Sequence, residues 1–177
     1  QYFSVAATNE HTTSKERRLF GGTAMFLTKQ TTPRLVEHGQ DTSGLGRWTW
    51  MKLQGRQGIT TRIITGYRPV KDFSNRPGTV YSQQERFYHA QGQPKEPRQA
   101  FLDDLQTFIR MCMDDGEQIV VGLDANEYIK SQTMTAWSHQ LGLIPTLQYT
   151  HPSLPEVDTC DKGRRQQPID AIWTTPG

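Results

Sequence analysis

Three short stretches of the sequence join an apolar run to polar side chains that are common in active sites. In the first, IVVGLDANE (119–127), a run of mostly aliphatic residues ends in Asp124 and Asn126. Alternate residues of a strand lie on the same side, so these two side chains are expected to project together, while Glu127 points the other way. Asp124 can accept a proton or position a water molecule, and Asn126 can hold a phosphate oxygen. An Asx turn at the strand end would give the same pattern, so this stretch leaves both interpretations open.

The other two stretches are GYRP (66–69) and PIDAIW (168–173). Asp170 stands among apolar residues, and because burial of an unpaired carboxylate is costly, it is expected to have a partner: a histidine, an arginine, backbone N–H groups or a metal ion. The phenol of Tyr67 and the guanidinium of Arg68 could both donate hydrogen bonds to a phosphate. For Tyr67 the alternative is a core tyrosine at the edge of the interior.

Two other kinds of site are excluded by the sequence. There is no GxxxxGK[ST] phosphate-binding loop, which a nucleotide hydrolase of the P-loop class requires. A calcium loop needs further acids and a glycine after Asn126, whereas Tyr128, Ile129 and Lys130 follow.

Hydrophobic periodicity predicts the elements that position these residues. Strands are expected at 21–28, 45–55, 58–69, 118–123 and 168–173, and helices at 83–90, 97–116 and 131–141. The short segment between the second and third strands predicts an antiparallel hairpin, residues 72–82 are expected to form a loop, and residues 142–149 a loop or strand. The run 118–123 is apolar on both faces, which predicts a central strand covered on both sides. These elements predict an α/β fold with mixed sheets in one domain, residues 1–177.

Composition limits the class of protein. The chain has 177 residues, is 34% hydrophobic and carries four Trp, seven Phe and six Tyr, enough for one core. No apolar run approaches the length of a membrane span, the stretch QYFSVAATNE lacks the basic-then-apolar order of a signal peptide, and Cys112 and Cys160 make no disulfide framework. We therefore expect an intracellular protein with no membrane segment and no disulfide-linked partner. The first residue, Gln1, and the final TTPG after an apolar run indicate a fragment.

Charge is distributed unevenly, although the net charge is only +2. Seven basic residues and one acid lie between Arg47 and Arg76, and seven acids and one base lie between Phe101 and Glu127. A basic strip beside an acidic pocket suits a protein that holds a polyanion and a cation together. Ordinary solvated strand and helix faces are the alternative.

In their order along the chain, ITGYRP, VVGLDANE and PIDAIW resemble the endonuclease/exonuclease/phosphatase superfamily. This superfamily includes abasic-site endonucleases, DNase I-like enzymes and the endonuclease domains of LINE-type retroelements. The stretches GGTA, LGRWTW, YSQQERF and PRQAFLDDL are similar to a retroelement-associated or environmental branch, and the resemblance spans essentially the whole chain. It implies a four-layer DNase I-like sandwich of two mixed β-sheets flanked by helices, here incomplete at both termini.

The resemblance also implies a reaction, the hydrolysis of a phosphodiester or phosphomonoester with Mg²⁺ or Mn²⁺ as cofactor. By this resemblance, Asp124 orients or deprotonates the attacking water, Asn126 contacts the phosphate, and Tyr67 donates to a phosphate oxygen. Asp170 orients a catalytic histidine. Three arginines are predicted to bind the substrate backbone: Arg68, Arg47 and Arg62.

The sequence departs from the family pattern at both ends. The metal-binding Glu of the family lies upstream of the GGTA-type strand; Asn9 and Glu10 stand too near that strand to be assigned to this role. The closing Asp-His of the family is absent after PIDAIWTTPG. The five histidines are predicted to lie on the surface or in loops: His11, His38, His89, His139 and His151. The metal ligands therefore stay unassigned.

These features lead to one leading functional hypothesis and two alternatives. The leading hypothesis is a divalent-metal-dependent endonuclease that acts on nucleic acid as the nicking domain of a mobile element. DNA is favoured over RNA as its substrate. Such a domain is expected in the nucleus, as a monomer or as part of a larger polyprotein. The alternatives are a non-catalytic nucleic-acid-binding or interaction module with the same fold, and a phosphoester phosphatase of the same superfamily.

Overall fold

Segments rich in β-branched and aromatic residues form the strands, and apolar residues at helical spacing form the helices. The computed structural model of the chain describes residues 2–11, 21–72, 78–155, 158–159 and 167–176. Within them the strands are β1 Phe3–Ala7, β2 Thr23–Leu27, β3 Leu35–Gln40, β4 Trp48–Gln54, β5 Thr60–Tyr67, β6 Gln118–Asp124, β7 Ile144–Pro145 and β8 Asp170–Thr174. The α-helices are α1 Val80–Ala90, α2 Pro97–Asp114, α3 Gln132–Gln140 and α4 Thr146–Thr150.

Six of the strands form one mixed sheet in the order β3-β4-β5-β6-β8-β7. β5 and β6 are parallel, and every other neighbouring pair is antiparallel. A parallel pair needs a long crossover connection, which α1 and α2 supply between β5 and β6. As a result, the C-terminal ends of β5 and β6 lie side by side at the same end of the sheet.

One face of this sheet, here called the helix face, carries the main core. α2 begins at Pro97, capped by the Glu96 carboxylate, which accepts a hydrogen bond from Gln99 N at 2.7 Å. The apolar stripe of α2 packs against the strands and α3, and the fully or nearly fully buried members of this cluster include Trp48, Ile64, Phe101, Leu105, Ile109, Val121, Met134 and Trp173. The helical stripe predicted for α2 is therefore confirmed.

The opposite face, here called the inner face, is covered over only half of its width. β1 and β2 form a two-stranded antiparallel sheet that packs on Met51, Leu53 and Ile63. Beside this layer, a cleft of about 870 Å³ lies over β6 and β8. Gly122 and Ile172, which are paired across these two strands, line the cleft, and Ile172 is 54% exposed. The expectation that the β6 strand is covered on both faces is thus only partly met.

The architecture confirms the predicted α/β sandwich, with two corrections. The five predicted strands, the β4–β5 hairpin and the three predicted helices are present, and residues 142–149 contain β7 and most of α4. The second sheet is antiparallel rather than mixed. The described residues form three layers instead of four, because the outward side chains of β1 and β2, such as Ser4 and Phe26, are exposed instead of covered by helices.

Some expectations fall on residues beyond the described ranges. Residues 73–77 of the predicted loop, which include Arg76, lie outside them, and so does Cys160. Cys112 is a buried free thiol. Among the described helices, none is long and apolar enough to cross a membrane.

The helix face predicts a sharp difference between two phenylalanines. Phe101→Ala removes a ring with 0% exposure that meets Trp48 edge-on at a centroid distance of 5.8 Å. We expect a loss of about 3–5 kcal/mol in the free energy of unfolding, measured by urea titration. Phe26→Ala, at a side chain with 76% exposure, is the matched control and should change stability by less than about 0.5 kcal/mol. Equal losses in the two variants would contradict this description of the core.

Candidate active site

The pairing of three strands brings three sequence-predicted residues into one row. Tyr67 ends β5 and is the register partner of Asp124, which ends β6; Asp124 is in turn the partner of Asp170, which begins β8. Directly paired residues share a face of the sheet, and this face is the inner one, because Ile63 and Tyr67 lie an even number of residues apart on β5. Tyr67, Asp124 and Asp170, here called the site row, are all partly buried.

A tight turn after β6 adds Asn126 to the site row. Asp124 Oδ1 accepts a hydrogen bond from Asn126 N at 3.1 Å, which is an Asx turn, and Asn126 has a positive φ of 46°. Asn126 Nδ2 donates to Arg68 O at 2.7 Å, and its amide lies close enough to Tyr67 to lower the pKa of the phenol, against the larger increase caused by burial. The Asx turn that the sequence offered as the alternative is therefore present, and it is compatible with a role for Asn126 in an active site, which stays a prediction.

The electrostatic surroundings favour the neutral forms of two members of the site row. Burial raises the pKa of the Asp124 carboxyl, and repulsion from Asp170 raises it further, against the opposing hydrogen bond from Asn126 N. Burial also raises the pKa of the Tyr67 phenol, and the Asp124 charge adds to this effect. Tyr67 therefore keeps its proton at neutral pH and can act as a hydrogen-bond donor. A carboxyl whose ionised form is penalised can take up a proton during a reaction.

The cleft described above opens beside this row. Asp124 and Asp170 both line it, together with apolar residues from α4 and the loop that follows, among them Leu147 and Leu154. Two acids at the mouth of a largely apolar cleft are a usual arrangement for a small-molecule or substrate site.

Comparison of the whole structure with solved structures identifies the fold. The 3′ phosphatase NExo from Neisseria, bound to product DNA hairpin, matches with a TM-score of 0.62 and 14% identity over 99% of this chain and 67% of its own. The catalytic domain of Xenopus laevis APE2 matches with a TM-score of 0.59 and 17% identity over 98% of this chain and 66% of its own. An endonuclease/exonuclease/phosphatase family protein from Bacteroides thetaiotaomicron matches with a TM-score of 0.54 and 12% identity over 99% and 61%.

This chain has the endonuclease/exonuclease/phosphatase fold. It spans about two thirds or less of the length of these structures, between 61% and 67%. No protein-family model and no curated protein matches the sequence.

The donor set of the site row suits the divalent cation that this fold implies. Mg²⁺ prefers oxygen ligands and is commonly held by one or two carboxylates together with substrate phosphates and water. Asp124 and Asp170 supply two neighbouring carboxylates whose mutual repulsion a cation would relieve. No cluster of three or more His, Cys, Asp or Glu side chains suited to a metal occurs in the described part of the chain. The two aspartates would supply two oxygen ligands to Mg²⁺ or Mn²⁺, and the remaining protein ligands stay unassigned.

Asn9, which sequence reasoning left unassigned, lies near the same end of the sheet. It is 3% exposed, and its Nδ2 donates to Gln83 Oε1 at 3.0 Å. The Asn9 backbone packs closely on Gly46, since a Cβ placed on Gly46 would lie 2.8 Å from Asn9 N. Gly46 is followed by Arg47, whose backbone carbonyl accepts a hydrogen bond from Tyr67 N at 2.9 Å, so Asn9 is linked to the end of β5. The only sequence signal was its spacing, because Asn9 continues the inward alternation of Val5 and Ala7 two residues beyond β1.

Glu10 turns away from Asn9. Its side chain is exposed and accepts a hydrogen bond from Gln40 Nε2 at 2.9 Å. The five histidines are all exposed, as predicted: His11, His38, His89, His139 and His151.

The three arginines predicted to bind substrate are instead engaged inside the protein. Arg47, Arg62 and Arg68 are 2%, 5% and 3% exposed. Arg47 binds the Asp41 carboxylate at 2.6 Å and Asp104 at 2.7 Å.

The other two arginines are bound in the same way. Arg62 binds Glu117 through two hydrogen bonds of 2.6 and 2.7 Å, and Arg68 binds Glu127 at 2.5 Å. Lys52 also binds Glu117, at 2.7 Å. Four residues of the predicted basic strip therefore form ion pairs within the protein: Arg47, Lys52, Arg62 and Arg68. A buried guanidinium needs such a partner because an unpaired buried charge is costly.

The internal role of Arg62 can be measured. Arg62→Gln is expected to lower the free energy of unfolding by about 3 kcal/mol, because it removes the bidentate partner of a buried carboxylate. Arg56→Gln, at an exposed arginine of the same strip, should change stability by less than about 0.5 kcal/mol. Loss of DNA affinity in the Arg62 variant without loss of stability would restore the substrate-binding assignment.

The raised pKa of Asp124 predicts that removal of its charge increases the stability of the protein. The pKa of Asp124 is raised in the folded state, so ionisation of its carboxyl destabilises the fold. This cost is absent below pH 3.8, the ordinary pKa of an aspartate, and is fully present above the folded pKa. Asp124→Asn keeps the acceptor for Asn126 N and removes the charge, so we expect a gain of about 0.5–2 kcal/mol at pH 7.

In urea titrations at several pH values, the gain should shrink as the pH falls toward 3.8, the ordinary pKa of an aspartate. Asp103→Asn, at an exposed carboxylate on α2, is the control and should show no such trend. A loss of stability in the Asp124 variant at neutral pH would show that the charged form is favoured by its surroundings.

Proposed function

We propose that this chain is a divalent-metal-dependent phosphoesterase that cuts phosphodiester bonds in nucleic acid, with DNA as the substrate. The observation that carries the proposal is the site row: a phenol donor, Tyr67, and two carboxylates, Asp124 and Asp170, at one end of adjacent strands. Its support from outside the chain is the shared fold with a phosphatase bound to product DNA and with the APE2 catalytic domain.

Each residue of the site has a role that its geometry allows. Asp124 positions the attacking water and accepts its proton, since burial and Asp170 make protonation of this carboxyl easier. The phenol of Tyr67 and the amide of Asn126 donate hydrogen bonds to the phosphate oxygens, where negative charge grows during hydrolysis. A bound Mg²⁺ would supply further neutralisation of that charge. Asp170, beside Asp124, has the role that the family resemblance assigns to it, which is to orient a catalytic histidine and stabilise its charged form.

A biological setting follows from the sequence stretches that resemble retroelement endonucleases. We propose that the chain belongs to the nicking domain of a mobile element and acts in the nucleus, on chromosomal DNA. The phosphatase alternative rests on one observation, namely that the NExo structure is that of a 3′ phosphatase. A site that holds a bridging phosphate can also hold a terminal one.

Cleavage assays test the proposal directly. The chain is incubated with end-labelled DNA duplex, with single-stranded DNA and RNA, and with a 3′-phosphorylated oligonucleotide, in Mg²⁺, in Mn²⁺ and in a chelator. We expect metal-dependent strand cleavage that falls at least about 100-fold in Asp124→Asn and Asp170→Asn, because each variant removes a group that acts on the reacting atoms. Asp103→Asn, on the exposed face of α2, should cleave as the unaltered chain does.

Other outcomes favour the alternatives. Release of inorganic phosphate from the 3′-phosphorylated oligonucleotide without strand cleavage would favour the phosphatase. DNA binding without any hydrolysis, unchanged by Asp124→Asn, would favour the non-catalytic module.

A further inference from the structure

Two buried arginines and a partly buried glutamate form a cluster next to the site row. Glu127 follows the turn that contains Asn126, Arg68 follows Tyr67, and Arg98 lies in the first turn of α2. Arg68 and Arg98 are 3% and 7% exposed, and the Glu127 side chain is 24% exposed. These three residues, here called the ion-pair cluster, join segments that are far apart in the sequence.

Both oxygens of the Glu127 carboxylate accept hydrogen bonds. Oε2 accepts from Arg68 Nη1 at 2.5 Å and from Arg98 Nη2 at 2.8 Å, and Oε1 accepts from Ser131 Oγ at 2.7 Å. Ser131 is also the N-cap of α3, where its hydroxyl accepts from Met134 N at 3.2 Å. Glu127 thus ties the loop after β5, the start of α2 and the start of α3 to the turn after β6.

The two arginines extend this tie into the backbone of both strand ends. Arg68 Nε donates to Arg98 O at 3.1 Å, and Arg98 Nη1 donates to Pro69 O at 2.7 Å. The backbone of Arg68 then meets the site itself: its N–H donates to Asp124 O at 2.9 Å, and its carbonyl accepts from Asn126 Nδ2 at 2.7 Å. The position of the Asn126 amide therefore depends on where the Arg68 backbone is held.

The ion-pair cluster also carries an excess of positive charge, because two guanidinium groups share one carboxylate. Burial opposes ionisation of Glu127, but hydrogen bonds from Arg68, Ser131 and Arg98 outweigh it and hold the pKa of Glu127 at about 2. Burial raises the pKa of both Tyr67 and Asp124, and the positive charge of Arg98 offsets a small part of that increase. A buried positive charge behind the site favours an anion in front of it.

We propose that Glu127 is a positioning residue, which through Arg68 and Arg98 fixes the backbone carbonyl that orients the Asn126 amide toward the site row. Asn126 has a φ of 46°, a left-handed conformation that asparagine tolerates, and the hydrogen bond from its Nδ2 to Arg68 O at 2.7 Å is what fixes the direction of its amide. The inference deepens the proposed function and rests on it only for the role of Asn126 as a phosphate contact. The positional claim itself needs no substrate and no metal.

The test is the NMR signal of the Asn126 side-chain amide in isotope-labelled protein. In the unaltered chain, its hydrogen bond to Arg68 O should give a shifted signal and slow exchange with water. Glu127→Ala should move this signal toward that of a free asparagine and speed its exchange by about tenfold, the change expected for loss of one net hydrogen bond. Glu127→Gln keeps an oxygen acceptor and removes the charge, so it should give a smaller change in the same direction.

Glu117→Gln is the matched control, because Glu117 is also a buried carboxylate that binds two cationic side chains, Arg62 and Lys52. It lies at the opposite end of β6, so it should cost stability in a urea titration and leave the Asn126 signal unchanged. Should Glu127→Ala fail to fold, Glu127→Gln carries the test.

An Asn126 signal unchanged in the Glu127 variants, with stability lowered as in the Glu117 variant, would overturn the proposal and leave Glu127 a structural ion-pair residue. Failure of the cleavage assays would leave this result unaffected, so the two proposals can fail separately.

Discussion

The site depends on the register of β6 between its two neighbours. β6 is parallel to β5 and antiparallel to β8, and this combination places Tyr67, Asp124 and Asp170 in one row at one end of the sheet. A slip of one residue would turn Asp124 to the helix face and bring Leu123 to the inner face. The register is held because Ile119, Val121 and Leu123 must lie in the core beneath α2. Burial of these three aliphatic side chains therefore decides which way the carboxylates point.

Buried ion pairs secure both ends of the same strands. At the end away from the site, Glu117 binds Arg62 and Lys52; at the site end, Glu127 binds Arg68 and Arg98. Such pairs add little net stability over apolar packing, but loss of one partner is costly, so they specify which segments meet. In this protein they leave the site with two carboxylates in front and a positive cluster behind. That arrangement favours a cation and a phosphate held together.

The sequence predicted the elements whose pattern is local. The α2 stripe and the strands that end in Tyr67 and Asp124 show clear hydrophobic periodicity, so these elements could be predicted from the sequence. β3 was missed because it is a mostly exposed edge strand with no alternation, and β1 because it has only five residues, FSVAA, three of which are the small residues Ser4, Ala6 and Ala7. The prediction that three arginines bind the substrate disagrees with the structure for a different reason. Arg62 and its partner Glu117 lie 55 residues apart, and charge alone does not reveal a distant partner.

The central claim is that Tyr67, Asp124, Asn126 and Asp170 form one site for a divalent cation and a phosphate. The most direct measurement adds Mn²⁺ to isotope-labelled protein and follows the loss of NMR signals, since the paramagnetic ion broadens resonances close to it. The account predicts that the earliest losses occur at these four residues, and that Asp124→Asn removes them. Earliest losses elsewhere, for example at the exposed acids Asp114 and Asp115 at the end of α2, would contradict it.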